Sequence, residues 1–381
     1  GSKTYTVSDS LILGGIGGGE LLITSDAPLS RATAIINNTG NAHLVEYVKV
    51  YDVNGTAEHH IAATNSWSLG GTTDYWDFAA ILYTFGTTGN WDTATNWWQG
   101  VLPNDNDNII VNVGVTLTTN GDRTINDIDI DGTLVVSVDT LTVNGASDID
   151  GTITISTGAV DANDTFDATG GFVTFTDAGN LNLDSTVTSL GTLSDNFGTV
   201  TYDGIDQTVF SDDYYSLTAG GGSGTKTLGG EVTVAGDLTI DTDVTIAMDT
   251  HLLTVTNITD IDGTLAVAGD TLTLDGTSDI DGTITISTGT VDANGAFDAT
   301  NGTITFTDAG NLNLFSTVTD LGTLSDNFGT VTYDGVDQTV FSDVYYSLTS
   351  GGGSGTKTLG GAVTVAGIFT VDTLVTTAME G

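Results

Sequence analysis

The sequence predicts an all-β protein: a small N-terminal β-sandwich-like domain followed by a parallel β-solenoid with a 131-residue internal duplication. Three observations carry this. First, 44 of the 49 acidic residues are Asp and 51 residues are Gly; Asp bonds its own nearby backbone and favours turns, whereas Glu favours helices. Second, no stretch repeats its apolar residues every 3.6 positions, while Val, Ile and Leu alternate with Thr and Asp in short runs, the period of a strand. Third, residues 147–247 recur at 278–378 with 17 differences over 101 aligned positions. A chain that repeats itself this closely reads as stacked modules.

Taken in order, residues 1–88 form the N-terminal β domain. Leu11–Leu13 and Leu21–Thr24 read as strands around the glycine-rich turn Gly14–Gly19, and Asn54-Gly55 is a hairpin signal between His43–Val53 and Thr56–Ala63. Residues 89–128 are a Trp-rich cap with the first solenoid rungs, residues 129–259 the first solenoid repeat and residues 260–381 the second. Within a repeat a shorter period appears: Ile-Asp-Gly-Thr ends at Thr133 and again at Thr152, and Gly151–Ile155 is echoed 20 residues later by Gly171–Phe175. A period of 19–20 residues is one rung, so 101–381 holds roughly 12–14 rungs, a rod on the order of 60 Å. Ile153, Ile155, Phe172 and Val173 should stack inside with Thr and Asp outside. An array of β-sandwiches competes with this reading, and Asn180–Tyr202, where the spacing lengthens to about 27, fits a coil least well.

The charge excludes several partners. Six basic residues against 49 acidic ones give a net charge of −43, which leaves no basic footprint for nucleic acid or an anionic bilayer. With no Cys there is no disulfide framework, and no apolar run reaches the length of a membrane span. Residues 101–381 hold 40 of the acids and only three bases. Such self-repulsion calls for screening by salt or divalent cations, as in brine or a calcium-rich extracellular medium.

Asn90-Trp91, Asn96-Trp97, Gly100, Pro103 and Asp107, then Thr199–Gly204, Gln207–Val209, Tyr214–Thr218 and Gly224–Leu228, recurring at 329–371, resemble the repeats of large secreted bacterial surface and adhesin proteins built from β-solenoids. The resemblance covers about 90–381. It implies an extracellular or cell-surface structural or adhesive role as a subunit of a fibre, filament or appendage. A virion appendage such as a tail fibre, spike or turret, on the virion surface with a receptor-binding role, is the alternative. A polysaccharide-active β-helix enzyme is a further one.

Candidate sites follow. Asp127, Asp129 and Asp131 resemble the start of a calcium loop, but position twelve is Val138 where a bidentate Glu is needed; no cofactor is required, and calcium or other cations are expected to screen the acidic surface. His59-His60 alternate across a strand and read as a solvated pair, and His251 has no counterpart in the second copy. Asp212-Asp213 could be a carboxylate pair, yet the second copy reads Asp343-Val344; with Arg123 the solenoid's only Arg, the chain reads as non-catalytic. Trp67, Trp76, Trp91, Trp97 and Trp98 either stack on a glycan of a cell-surface receptor or seal the solenoid end.

The differences between the copies point to self-association. Asp184, Asp213, Glu231, Asp237 and Asp243 become Phe315, Val344, Ala362, Ile368 and Leu374. If copies this similar place equivalent residues on equivalent faces, these positions are covered by a homo-oligomeric or filament neighbour, and returning Phe315, Ile368 and Leu374 to Asp should dissociate it. The second copy ends at Gly381, so its last strand edges invite either a neighbouring molecule or further chain.

Overall fold

In this computed structural model the described residues run from 83 to 379, apart from 98–99, 101, 106, 195–196 and 326; within 3–82 only the backbone of individual strands is described. The chain is all-β, and among the described residues the one exception is a short 3-10 turn at Ala94–Asn96. From Asn108 to Met379 it coils as a parallel β-solenoid with three strands per turn and about 14 turns, roughly 65 Å of rod. No helix among the described residues is long and apolar enough to cross a membrane.

One turn shows why the sequence folds this way. Asn108–Val111 lies on the first face, Thr116–Thr118 on the second and Arg123–Ile125 on the third. Ile128–Ile130 then returns to the first face, pairing Ile109 with Ile128 and Val111 with Ile130. Alternation puts Ile128 and Ile130 inside and Asp129 outside. The interior is a stack made mostly of Ile, Leu, Val and Phe at essentially zero exposure. Phe172, expected inside, is 49% exposed, because alternation along Phe172–Phe175 turns Val173 and Phe175 inward instead. Corners are tight: a Cβ on Gly151 would collide with the carbonyl of Gly132 one turn below, so that corner accepts only glycine.

Asn180–Tyr202 keeps the coil's spacing on one face: Asn180–Leu183 pairs with Thr199–Tyr202 at a 19-residue offset. The irregularity lies between them, where the register shifts opposite Phe166 and Asp167 and two sheets end.

Within residues 3–78 the described pairs are all parallel: Lys3–Val7 with Ala34–Asn38, Ser10–Gly14 with Ala42–Glu46, Leu21–Thr24 with Val48–Tyr51. This is the order of a coil. It differs from the sandwich with an antiparallel hairpin expected there, because Val48–Tyr51 continues the ladder begun by Leu21–Thr24 and extends to Trp67–Ser68. The hairpin residues Gly55–His60, and with them His59-His60, lie outside the described residues.

The coil is interrupted twice. The first-face sheet ends at Val187–Ser189 and restarts at Gln207–Val209; the second-face sheet ends at Thr192–Leu193 and restarts at Asp213–Tyr214; the third face runs uninterrupted across the break. The same break recurs 131 residues later, but there the third and first faces are cut, at Val318–Asp320 and Thr323–Leu324, and the second runs on. The duplication spans 20 strands, six and two-thirds turns. Equivalent residues of the two copies therefore sit on different faces, one-third of a turn apart. That corrects the expectation of equivalent faces.

Candidate functional site

Where two faces of ladder are lost, backbone groups need other partners. Side chains supply them. The Gln207 amide donates to the carbonyls of Leu183 (2.7 Å) and Ser185 (2.7 Å), while its oxygen accepts from Gly204 N–H (2.8 Å). Lys226, fully buried on the inward side of Gly224–Leu228, donates to the carbonyls of Gly204 and Ile205. Tyr214 donates to the Phe210 carbonyl (2.6 Å), Tyr202 lies 2.9 Å from the Tyr214 hydroxyl, and Phe210 N–H donates to Tyr202 (2.9 Å). Burial pushes the Tyr202 hydroxyl up to about 12 and pulls Lys226 down, with Asp203 the first of the carboxylates opposing that fall. The second break repeats the arrangement with Gln338, Lys357, Tyr333 and Tyr345. So the surface-protein-like motif from Tyr202 to Lys226 is a polar clamp across the sheet break. Two of the three basic residues of 101–381 are inside the coil, which composition alone does not reveal.

Outside, each break opens a groove. The first, about 850 Å³, is lined by Asp184, Thr186, Val187, Gln207 and Thr225; the second, about 420 Å³, has Phe315 where the first has Asp184. On a different corner each copy carries an exposed aromatic pair. Phe197 (53% exposed) lies against Tyr215 (38%) at 5.8 Å and 48°, and Phe328 against Tyr346 at 6.0 Å and 47°. Both Phe residues hold a left-handed backbone, φ 59° and 60°, strained for a bulky side chain.

The five acid-to-apolar positions are all exposed but do not share one face. Val344 lies on the strand leading to Tyr346, and Ile368 follows Gly367, whose N–H donates to the Tyr346 carbonyl. These two extend the second aromatic pair. Phe315 and Leu374 lie on the next corner and Ala362 on the remaining one. Leu374 is 80% exposed at φ 72°, where Asp243 stands in the first copy at φ 67°. Asp tolerates that conformation better than Leu. Leu374→Asp is expected to raise stability by about 1 kcal/mol, read as a higher urea midpoint; an unchanged or lower midpoint would show that Leu374 helps hold its turn.

The remaining sequence candidates divide. Trp91 and Trp97 are each 2% exposed; Trp97 meets Phe85 edge-on at 4.9 Å and Trp91 at 5.2 Å and donates to the Trp91 carbonyl (2.8 Å). Neither offers a ring face to a glycan. Arg123 covers the Trp91 ring and pairs with Asp92. The side chains of Trp67 and Trp76, and all of Trp98, lie outside the described residues. Asp127 accepts from Ala146 N–H (3.0 Å), Asp129 points outward, and Asp131 belongs to the following corner. Among the described residues no group of three or more acids or histidines is arranged to hold a metal. Asp212 turns onto Asp213 N–H (2.9 Å) rather than facing a second carboxylate across a cleft.

Sequence reasoning missed the carboxylate ladders. Asp129, Asp148 and Asp167 stack in register on the first face, and Asp260, Asp279 and Asp298 on the third. Partial burial, then neighbouring carboxylates, raise Asp129, Asp148, Asp260 and Asp279 above the usual range. Compared with protein-family models, curated sequences and solved structures, the chain matches none.

Proposed function

We propose that this chain is a non-catalytic extracellular structural protein, a subunit of a surface fibre, filament or adhesive appendage, that associates with its own kind through the distal apolar corner. One observation carries the reading: Val344 and Ile368 replace Asp213 and Asp237 on either side of an aromatic pair that both copies keep. Losing two charges beside two exposed rings lowers the cost of covering that corner in an otherwise repulsive surface. The stiff parallel ladder supports a mechanical role.

Sedimentation of Val344→Asp with Ile368→Asp in about 1 M salt, where surface charge is screened, tests this. The wild type should associate and the double variant should need at least tenfold more protein to do so. Equal behaviour of the two, or a wild type that stays single at every concentration, would overturn it.

A further inference from the structure

The geometry points to the first aromatic pair, Phe197–Tyr215, as a binding platform for the apolar face of a neutral pyranose sugar. This goes beyond the self-association above and uses a different corner of the coil. Phe175 N–H donates to Ser194 Oγ (2.7 Å), and Gly198 lies against the Phe175 ring. Phe197 takes a left-handed backbone and leaves its ring 53% exposed. Strain spent on exposing a ring is a mark of a site. The ring then meets Tyr215, one turn further on, in a tilted pair.

One turn beyond Tyr215 lies Gly236, where a Cβ would come within 3.3 Å of the Tyr215 ring. Gly236 therefore places no side chain of its own over that part of the ring.

The flanks decide the ligand. Asp213 is exposed and Asp237 half-buried on the strand and corner that carry Tyr215 and Gly236. Asp237 uses one oxygen, Oδ1, to accept from Asn257 (2.7 Å) and Ile258 N–H (3.2 Å). Carboxylates next to aromatic faces suit a sugar, whose ring hydrogens stack on the rings while its hydroxyls donate to the acids. A net charge of −43 repels sulfated or uronic polymers, nucleic acid and anionic lipid. An all-equatorial neutral glycan presents two apolar faces and no charge. In the second copy Val344 and Ile368 stand in place of both acceptors, so that corner lacks the hydrogen-bonding half of the site.

Calorimetric titration of the full chain with cellohexaose, and separately with choline, tests the assignment. Cellohexaose should bind once per chain. Phe197→Ala with Tyr215→Ala should weaken it at least tenfold, Asp213→Asn with Asp237→Asn by several-fold, and Phe197→Tyr should retain it. Phe328→Ala with Tyr346→Ala should leave the sugar affinity unchanged while altering association, so failure here is separable from failure of the self-association reading. An unchanged thermal midpoint in each variant excludes misfolding as the cause. No binding of cellohexaose, binding that survives loss of Phe197 and Tyr215, or choline binding more tightly than the sugar would overturn the proposal.

Discussion

Lys226→Met is expected to destabilise the coil by about 3–5 kcal/mol, the range for removing one partner from a buried charged network. The methionine keeps most of the lysine's length, so the loss reads the ammonium rather than the volume. With Nζ gone, the carbonyls of Gly204 and Ile205 lose a charged donor at the point where two faces have no backbone ladder. Asp203, which has a buried oxygen with no hydrogen-bond partner, loses the nearby cation that lowers it. Urea unfolding followed by circular dichroism should show an early phase for the turns around the break, with new proteolytic cuts near residues 203–206. Lys357→Met should do the same at the second break. A change below about 1 kcal/mol would mean that the clamp fills space without holding the turns together.

Acid is expected to stabilise this protein. Asp129, Asp148, Asp260 and Asp279 titrate above the usual carboxylate range in the folded coil because burial and stacked neighbours disfavour their charged forms. The folded state then binds protons more tightly than the unfolded chain. Stability rises as pH falls from neutral through that raised range and gains nothing more once the unfolded carboxylates also protonate, near pH 4. At low ionic strength the thermal midpoint at about pH 4.5 should exceed that at about pH 7.5 by on the order of 5 °C. About 0.5 M salt at neutral pH should recover much of the same gain. A midpoint that falls steadily with pH at low salt would show that the ladders are not the dominant electrostatic cost.

Much of the coil was legible in the sequence because its signals are local. Alternation in Thr152–Ile155, the Ile-Asp-Gly-Thr corner and the 19–20-residue spacing each report one rung. What was not legible depends on counting strands around the coil. The 131-residue unit covers a whole number of strands but a fractional number of turns, so Asp213 and Val344 match in sequence yet face different directions. The breaks were hidden for a similar reason: Gln207 and Lys226 look like ordinary polar residues of a strand, and only the missing ladder shows why they point inward. The Trp cluster misled because aromatic residues serve a core and a ligand platform equally well; Trp91 and Trp97 went to the core, and the exposed rings include Phe197, Tyr215, Phe328 and Tyr346.

The most direct measurement is negative-stain electron microscopy of the wild type beside Val344→Asp with Ile368→Asp, both in about 1 M salt. The expected result is wild-type rods joined in regular pairs or filaments, with the double variant as separate rods. Separate rods for both proteins, or identical assemblies for both, would contradict a self-associating structural subunit.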